Sequence, residues 1–160
     1  MATLTLLPNA TWFKPSVSTV TKSSITTINI VDSYSLASSE TVTDSWDASE
    51  DTDGSIMVYV QGGTLTIAGN GSGKIYANAD SSKVFDGFSA VTTINGANIL
   101  DVSNVTSIRA MFQKCSVLTS IDVSNWDTSK VIDMAGVFNY CSSLTSLDVS
   151  NWNTSSVTSM

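Results

Sequence analysis

Asp122 and Asp148 are the two carboxylates whose type and spacing could carry chemistry. They stand 26 positions apart in runs that echo each other, 118-LTSIDVSNWD-127 and 144-LTSLDVSNWN-153. On stacked strands about 4.8 Å apart, such a pair lies close enough to act as an acid–base dyad. The surroundings supply little else that catalysis needs. The chain has no His, neither run offers a distinct second group, and no insertion builds a pocket, so no catalytic residue is assigned and an enzyme is not expected. Each Asp sits between inward apolar neighbours and points outward, with Asn95 completing the column. Repulsion between the two carboxylates in water is only about 1 kcal/mol, which nearby hydroxyls can offset. Ser120, Asp122, Ser124, Ser146, Asp148 and Ser150 therefore read either as a solvated face or as a flat polar surface for protein or glycan contact.

Other groups invite chemical readings and mostly return bland ones. Trp126 and Trp152 could form an aromatic ledge for a ligand, although an aligned apolar column, with Leu100 at the equivalent place, is the commoner use. Cys115 and Cys141 occupy one repeat position, and parallel stacking aims them poorly at each other, so buried thiols are expected. In the acidic stretch 44-DSWDASEDTDG-54, Ser49, Asp51, Asp53 and Gly54 imitate the start of a calcium loop, but Val60 stands where the bidentate Glu belongs. No metal site is assigned. The run GNGSGK at 69–74 resembles a phosphate loop, yet Ile75 follows Lys74 and no helix pattern opens there. No cofactor is expected.

Those residues are positioned by a repeat. Phe112, Cys115, Leu118, Trp126 and Val131 recur as Phe138, Cys141, Leu144, Trp152 and Val157, each 26 positions on. Counting back adds a copy in which Phe85, Phe88, Val91 and Ile94 align at 27 and, after a one-residue deletion, Leu100, Asp101 and Val105 align at 26. Three copies result, at 84–110, 111–136 and 137–160. Within each, the L-x-x-L-x-L spacing predicts a short strand. The apolar stripe Val131, Met134, Phe138 and Cys141, entered from Thr128 or Ser129 as an N-cap, predicts a short helix. Ahead of the copies, 47–83 reads as a β-hairpin leader and cap turning at Gly62-Gly63, and 1–46 as a β attachment segment with strands over 3–7 and 25–31, Ile25, Ile28 and Ile30 facing inward, and a Ser-rich joint over 33–43. The expected fold class is α+β: an N-terminal β segment and hairpin leading into a short leucine-rich-repeat solenoid of about three 26-residue repeats.

Composition narrows the partners. Lys and Arg number 7 against 14 Asp and Glu, a net charge of -7 that disfavours nucleic acid. Charged residues make up only 13% while 28 Ser and 20 Thr are present, a composition suited to a polar, uncharged external surface. No apolar run is long enough for a membrane helix, so insertion is not expected, and residues 1–10 lack the basic start of a secretory signal.

The run 115-CSVLTSIDVSNWDTSKVIDM-134 and its echo 141-CSSLTSLDVSNWNTSSVTSM-160 resemble the BspA-like leucine-rich repeats, the DUF285 repeat of bacterial surface proteins. The preceding 46–82 looks like the leader found before such repeats in proteins of gut bacteria and their phages. The resemblance implies a non-catalytic structural and adhesion protein on a virion or extracellular surface. A phage virion component is the first expectation, contacting a protein or glycan of the host through its repeats. It would sit in an assembly as a homo-oligomer, meeting sister or other virion subunits through 1–46 and the open end 137–160. The alternatives are a fragment of a bacterial cell-surface adhesin and, in a different class, a carbohydrate-active or calcium-dependent module using Asp122, Asp148 or the acidic stretch.

Overall fold

The computed structural model describes residues 9–35 and 40–160. The strand expected over 3–7 and part of the joint expected over 33–43 lie outside them. The strands are β1 (Thr27–Val31), β2 (Asp44–Asp47), β3 (Met57–Gln61), β4 (Thr64–Ala68), β5 (Ile75–Tyr76), β6 (Thr93–Asn95) and β7 (Leu100–Asp101). Alternation of apolar and polar residues buries one side of β1 and β3, and a five-stranded mixed sheet forms in the order β2-β3-β4-β1-β6. The β3–β4 hairpin turns in two residues, with Gln61 paired to Thr64 and Gly62 at a φ of +55° that favours glycine. β1 lies parallel to both β4 and β6, so the N-terminal segment supplies an inner strand of the sheet. β5 and β7 pair separately and in parallel.

Residues ahead of β1 cover the first copy of the repeat. Trp12 is fully buried, stacks on Phe88 at 6.0 Å, and donates its indole N–H to the Val84 carbonyl at 2.8 Å. Trp46 in β2 donates in turn to the Trp12 carbonyl at 2.6 Å. Asp44 ties the same segment down, accepting from the Ser16 and Val17 amides and the Ser16 hydroxyl. One apolar cluster runs without a break from Trp12 to Val137.

The expected α+β leucine-rich-repeat solenoid is not what the chain forms. The structure is mostly β sheet, and the described residues hold no α-helix, only short 3₁₀ turns at Asn9–Trp12, Lys22–Ser24 and Ala97–Ile99. The reason lies in backbone conformation along the stripe that reads as helical. Left-handed φ recurs in register at two places: Lys83, Ala110 and Gly136 just before each copy begins, and Gly87, Lys114 and Tyr140 four residues later. Each reverses the chain before a second helical turn can form. Local bonds are therefore of the i to i+3 kind, such as Met111 N–H to Ile108 O and Cys115 N–H to Phe112 O. The intervening N–H groups of Ala110, Phe112 and Lys114 reach across to Ala135, Val137 and Asn139 of the next copy instead of four residues back. Turns that advance three or four residues place Val131, Met134, Phe138 and Cys141 on one inner side, just as a helix would. Thr128 caps nothing: its buried hydroxyl accepts from the Asn153 N–H at 2.8 Å and donates to the Asn153 carbonyl at 3.2 Å.

The strand expected in each copy also shrinks. β6 is a strand in the first copy, but in the next two the ladder continues only as single parallel bridges, Thr93 to Ser120 and Ser120 to Ser146. A second column of bridges links Asp80, Ser107, Asp133 and Ser159. Stacked rings fill the interior between copies. Phe85, Phe112 and Phe138 follow one another at 5.4 and 5.3 Å, with ring planes 8° and 4° apart.

Gly96 fixes where the repeats meet the sheet. Its φ is +76°, and a Cβ there would collide with the Ile30 carbonyl of β1. Gly96→Ala is expected to cost more than about 3 kcal/mol, since backbone strain and a clash against main chain add. Chemical denaturation of the variant beside the parent protein checks this, with Gly54→Ala, whose Cβ would meet open space, expected to lose less.

Candidate functional site

The Ser and Asp residues marked out at 120–124 and 146–150 are mostly exposed, and hydrogen bonding inside each copy decides what they can do. Asp122 Oδ1 accepts from the Ser124 hydroxyl at 2.7 Å and its N–H at 3.2 Å. Asp148 accepts from Ser150 in the same way, at 2.7 and 3.0 Å. Ser120, Asp122, Ser146, Asp148 and Ser150 are exposed and Ser124 is half-buried. The Ser124 hydroxyl and amide bonds hold Asp122 below the ordinary carboxylate range, against smaller opposing effects of desolvation and then of Asp148. Ser150 does the same for Asp148. An acid–base pair needs one of its carboxyls raised. Here both are lowered, so the pair is chemically quiet and permanently charged at neutral pH.

The same turn recurs through the chain, an Asp or Asn accepting from the N–H two residues on. Asp101 holds Ser103 at 3.0 Å, Asp127 holds Ser129 at 3.0 Å, Asp133 holds Ala135 at 2.9 Å and Asn153 holds Ser155 at 3.0 Å. The acidic stretch uses its carboxylates likewise. Asp47 gathers the Ser49 amide and hydroxyl and the Gly54 amide, and Asp53 takes the Ser55 amide. Among the described residues no three His, Cys, Asp or Glu converge as metal ligands. In the Gly-rich run the Gly73 amide donates to Asp32 at 2.6 Å, and Lys74 pairs with Asp101 at 2.9 Å.

Trp126 is buried rather than presented as a ledge, its indole N–H spent on the Ala97 carbonyl at 3.0 Å. Trp152 stacks on it at 6.2 Å, half-buried, and donates to the Val123 carbonyl. Cys115 and Cys141 are free thiols, each directed at a carbonyl of the preceding copy, Phe85 at 3.2 Å and Phe112 at 3.0 Å. Burial, with the neighbouring Cys141 second, pushes the Cys115 thiol up to about 12, which leaves it un-ionised and inert at neutral pH. On the third copy, Tyr140, Leu147, Val149 and Met160 are exposed.

One feature escapes a reading of the repeat alone. Where the first copy meets the second, an open cleft of about 310 Å³ is lined by Asn98, Asp101, Ser103, Asn125, Asp127 and Lys74. Its signal in the sequence is the extra residue between Ile94 and Leu100, which the alignment absorbs as a deletion.

Residues 79–160, just over half of the chain and all three copies, match the sequence pattern of the family described as Mycoplasma protein of unknown function, DUF285. The chain belongs to the DUF285 family. No curated protein matches it, and no solved structure does. The DUF285 region begins just before Asp80, the first rung of the second bridge column, so the family pattern takes in that column whole, together with β6 and β7.

Acid should loosen this DUF285 protein. Hydrogen bonds hold Asp44, Asp47, Asp53, Asp101, Asp122, Asp127 and Asp148 below their ordinary value, at Asp44, Asp47 and Asp101 against the opposing effect of burial. A lowered folded-state pKa adds stability above the unfolded value, and that stability is lost as the pH falls through the folded one. Urea midpoints are therefore expected to hold near neutrality and drop steadily below about pH 4. The buried Asp44 gives a single-site check: Asp44→Asn should cost about 1.5–3 kcal/mol at pH 7 and show a shallower acid limb.

Proposed function

We propose that the protein is a non-catalytic structural and adhesion module of an external surface, which meets a host-surface protein or glycan along the flank of its stacked copies. The observation that supports this best is the state of Asp122 and Asp148. They are exposed on successive copies, yet their Ser partners hold them charged and fixed in place. Such groups suit recognition by position and charge, and they are ill-suited to proton transfer. The likeness of 115–134 and 141–160 to BspA-like repeats of bacterial surface proteins supports the same reading. Either a phage virion or a cell envelope could carry such a flank, with a phage virion as our first choice of setting.

Labelled full-length chain is expected to bind intact host cells saturably. Reversing both charges, Asp122→Lys with Asp148→Lys, should weaken that binding at least tenfold while the thermal midpoint stays within a few degrees. Absence of cell binding, or hydrolysis of surface glycan by the chain, would overturn the proposal. Mass spectrometry of purified virions and of cell envelopes separates the two settings.

A further inference from the structure

The three copies are not equivalent, and their differences gather in one place. The first copy carries one residue more than the others between Ile94 and the buried Ala97, which stands where the second copy has Val123, and it has Leu100 where its successors have Trp126 and Trp152. The extra length is taken up at Gly96, whose positive φ lets the chain pass close to Ile30 of β1 before the 3₁₀ turn Ala97–Ile99. Asn98 and Ile99 of that turn and the following Leu100 form one wall of the cleft of about 310 Å³, and Asn125, Trp126 and Asp127 of the second copy form another. The volume is at the lower edge of the roughly 300–1,000 Å³ range of small-ligand pockets.

Its exposed wall is mostly polar, over a floor that includes Leu100 and Trp126. Lys74 from the leader bonds Asp101 at 2.9 Å, and Asp101 also holds the Ser103 amide at 3.0 Å. Asn125 Nδ2 donates to the Asn98 carbonyl at 3.2 Å, and Asp127 Oδ1 accepts from the Ser129 amide at 3.0 Å. Asn125 and Asp127 are thus oriented by bonds of their own. The side-chain amide of Asn98 and Oδ1 of Asn125 make no hydrogen bond to protein among the described residues, and the Asp127 carboxylate, engaged with Ser129, keeps further acceptor capacity.

Charge and polarity limit what could fill the space. Asp101 is neutralised by Lys74, and Asp127, acted on in opposite senses by Lys130 and Asp101, leaves the lining one net negative charge, too little to hold a cation firmly in an open cleft. Two carboxylates in the wall disfavour an anion. An aliphatic ligand would strand the amides and carboxylates without partners. What remains is a small neutral molecule with several groups that both donate and accept, which is the character of vicinal hydroxyls.

We propose that this cleft binds one neutral sugar unit of a surface glycan, with Asn98, Asn125 and Asp127 as its hydrogen-bonding contacts. The inference rests on the surface-contact reading above and adds a site and a ligand class to it. The site is separate from the Ser and Asp columns at 120–124 and 146–150. Fixed side chains spare the ligand the cost of ordering its own receptor, and a single pyranose is expected to bind at about millimolar Kd, near 4 kcal/mol.

Saturation-transfer NMR on the full chain tests this, using the methyl glycosides of glucose, galactose, mannose and N-acetylglucosamine, with glucuronate and glucosamine as charged controls. At least one neutral glycoside should receive saturation and shift the side-chain amide resonances of Asn98 and Asn125 in the unmodified chain. Asn125→Ala and Asp127→Asn should each weaken the effect at least fivefold, whereas Tyr140→Phe, at an exposed position of the third copy, leaves it unchanged. Failure of every neutral glycoside, binding by the charged sugars only, or a signal that survives both cleft substitutions would overturn the proposal. The cell-binding assay keeps the two readings apart. Undiminished cell binding by the cleft variants sinks the sugar site and spares the adhesion reading, while glycoside binding by a chain that ignores cells does the opposite.

Discussion

Each copy of the repeat is fastened to the one before it by donors on its own side chains. Thr119 and Thr145 hydroxyls reach the Thr92 and Thr119 carbonyls, and Ser116 and Ser142 reach Ser89 and Ser116. Asn125 and Asn151 amides, Trp126 and Trp152 indoles and the two thiols do the same at other levels. Many of these contacts are long, and each contributes about 1 kcal/mol at most. Their importance is that the copies have almost no strand in which main chain could satisfy main chain. A turn-built stack would otherwise leave carbonyls without partners. Among the described residues, the Ser and Thr that make these bonds serve as structural mortar, and part of the polar exterior follows from that use.

The candidate site inherits its properties from this arrangement. Because a turn of the Asp-x-Ser kind closes these outer corners, the carboxylates of Asp122 and Asp148 are acceptors already engaged. Because the copies are stacked on a sheet that holds β1 as an inner strand, the flank is carried by a single core running from Trp12 to Val137. The N-terminal segment is thus part of what keeps the copies in place. Lys22 reinforces this, donating to the Asp86 carbonyl at 2.6 Å and lying over the Phe88 ring.

Much of this was legible in the sequence, and the failures have a common physical origin. The Gly62-Gly63 hairpin and the inward Ile25, Ile28 and Ile30 follow from turn chemistry and spacing, and all three Ile are buried. The helix was misread because a spacing of three and four is produced equally by successive tight turns. What distinguishes the two is positive φ, which Gly87 and Gly136 advertise but Lys83, Ala110, Lys114 and Tyr140 conceal. Asp122 and Asp148 were correctly placed outside, yet their lowered pKa depends on Ser124 and Ser150 folding back, a matter of local torsion rather than residue type. The cleft was not foreseen. The sequence reading expects no pocket-forming insertion, and the one-residue gap in the alignment does not by itself say that Asn98, Asp101, Asn125 and Asp127 come together around a cleft.

The side-chain donors nearly all face backward along the chain, while the N–H groups of Ala110, Phe112 and Lys114 face forward. The two faces of a copy are therefore complementary and unlike, as are the two halves of a press stud. Such a unit can be gained or lost only whole and in one orientation: an inverted copy would set donor against donor, and a duplication out of phase would misalign every column at once. Growth of the chain by tandem duplication is thus quantised at the length of one copy, and the single-residue excess in the first copy is tolerated because its other neighbour is a sheet rather than another copy.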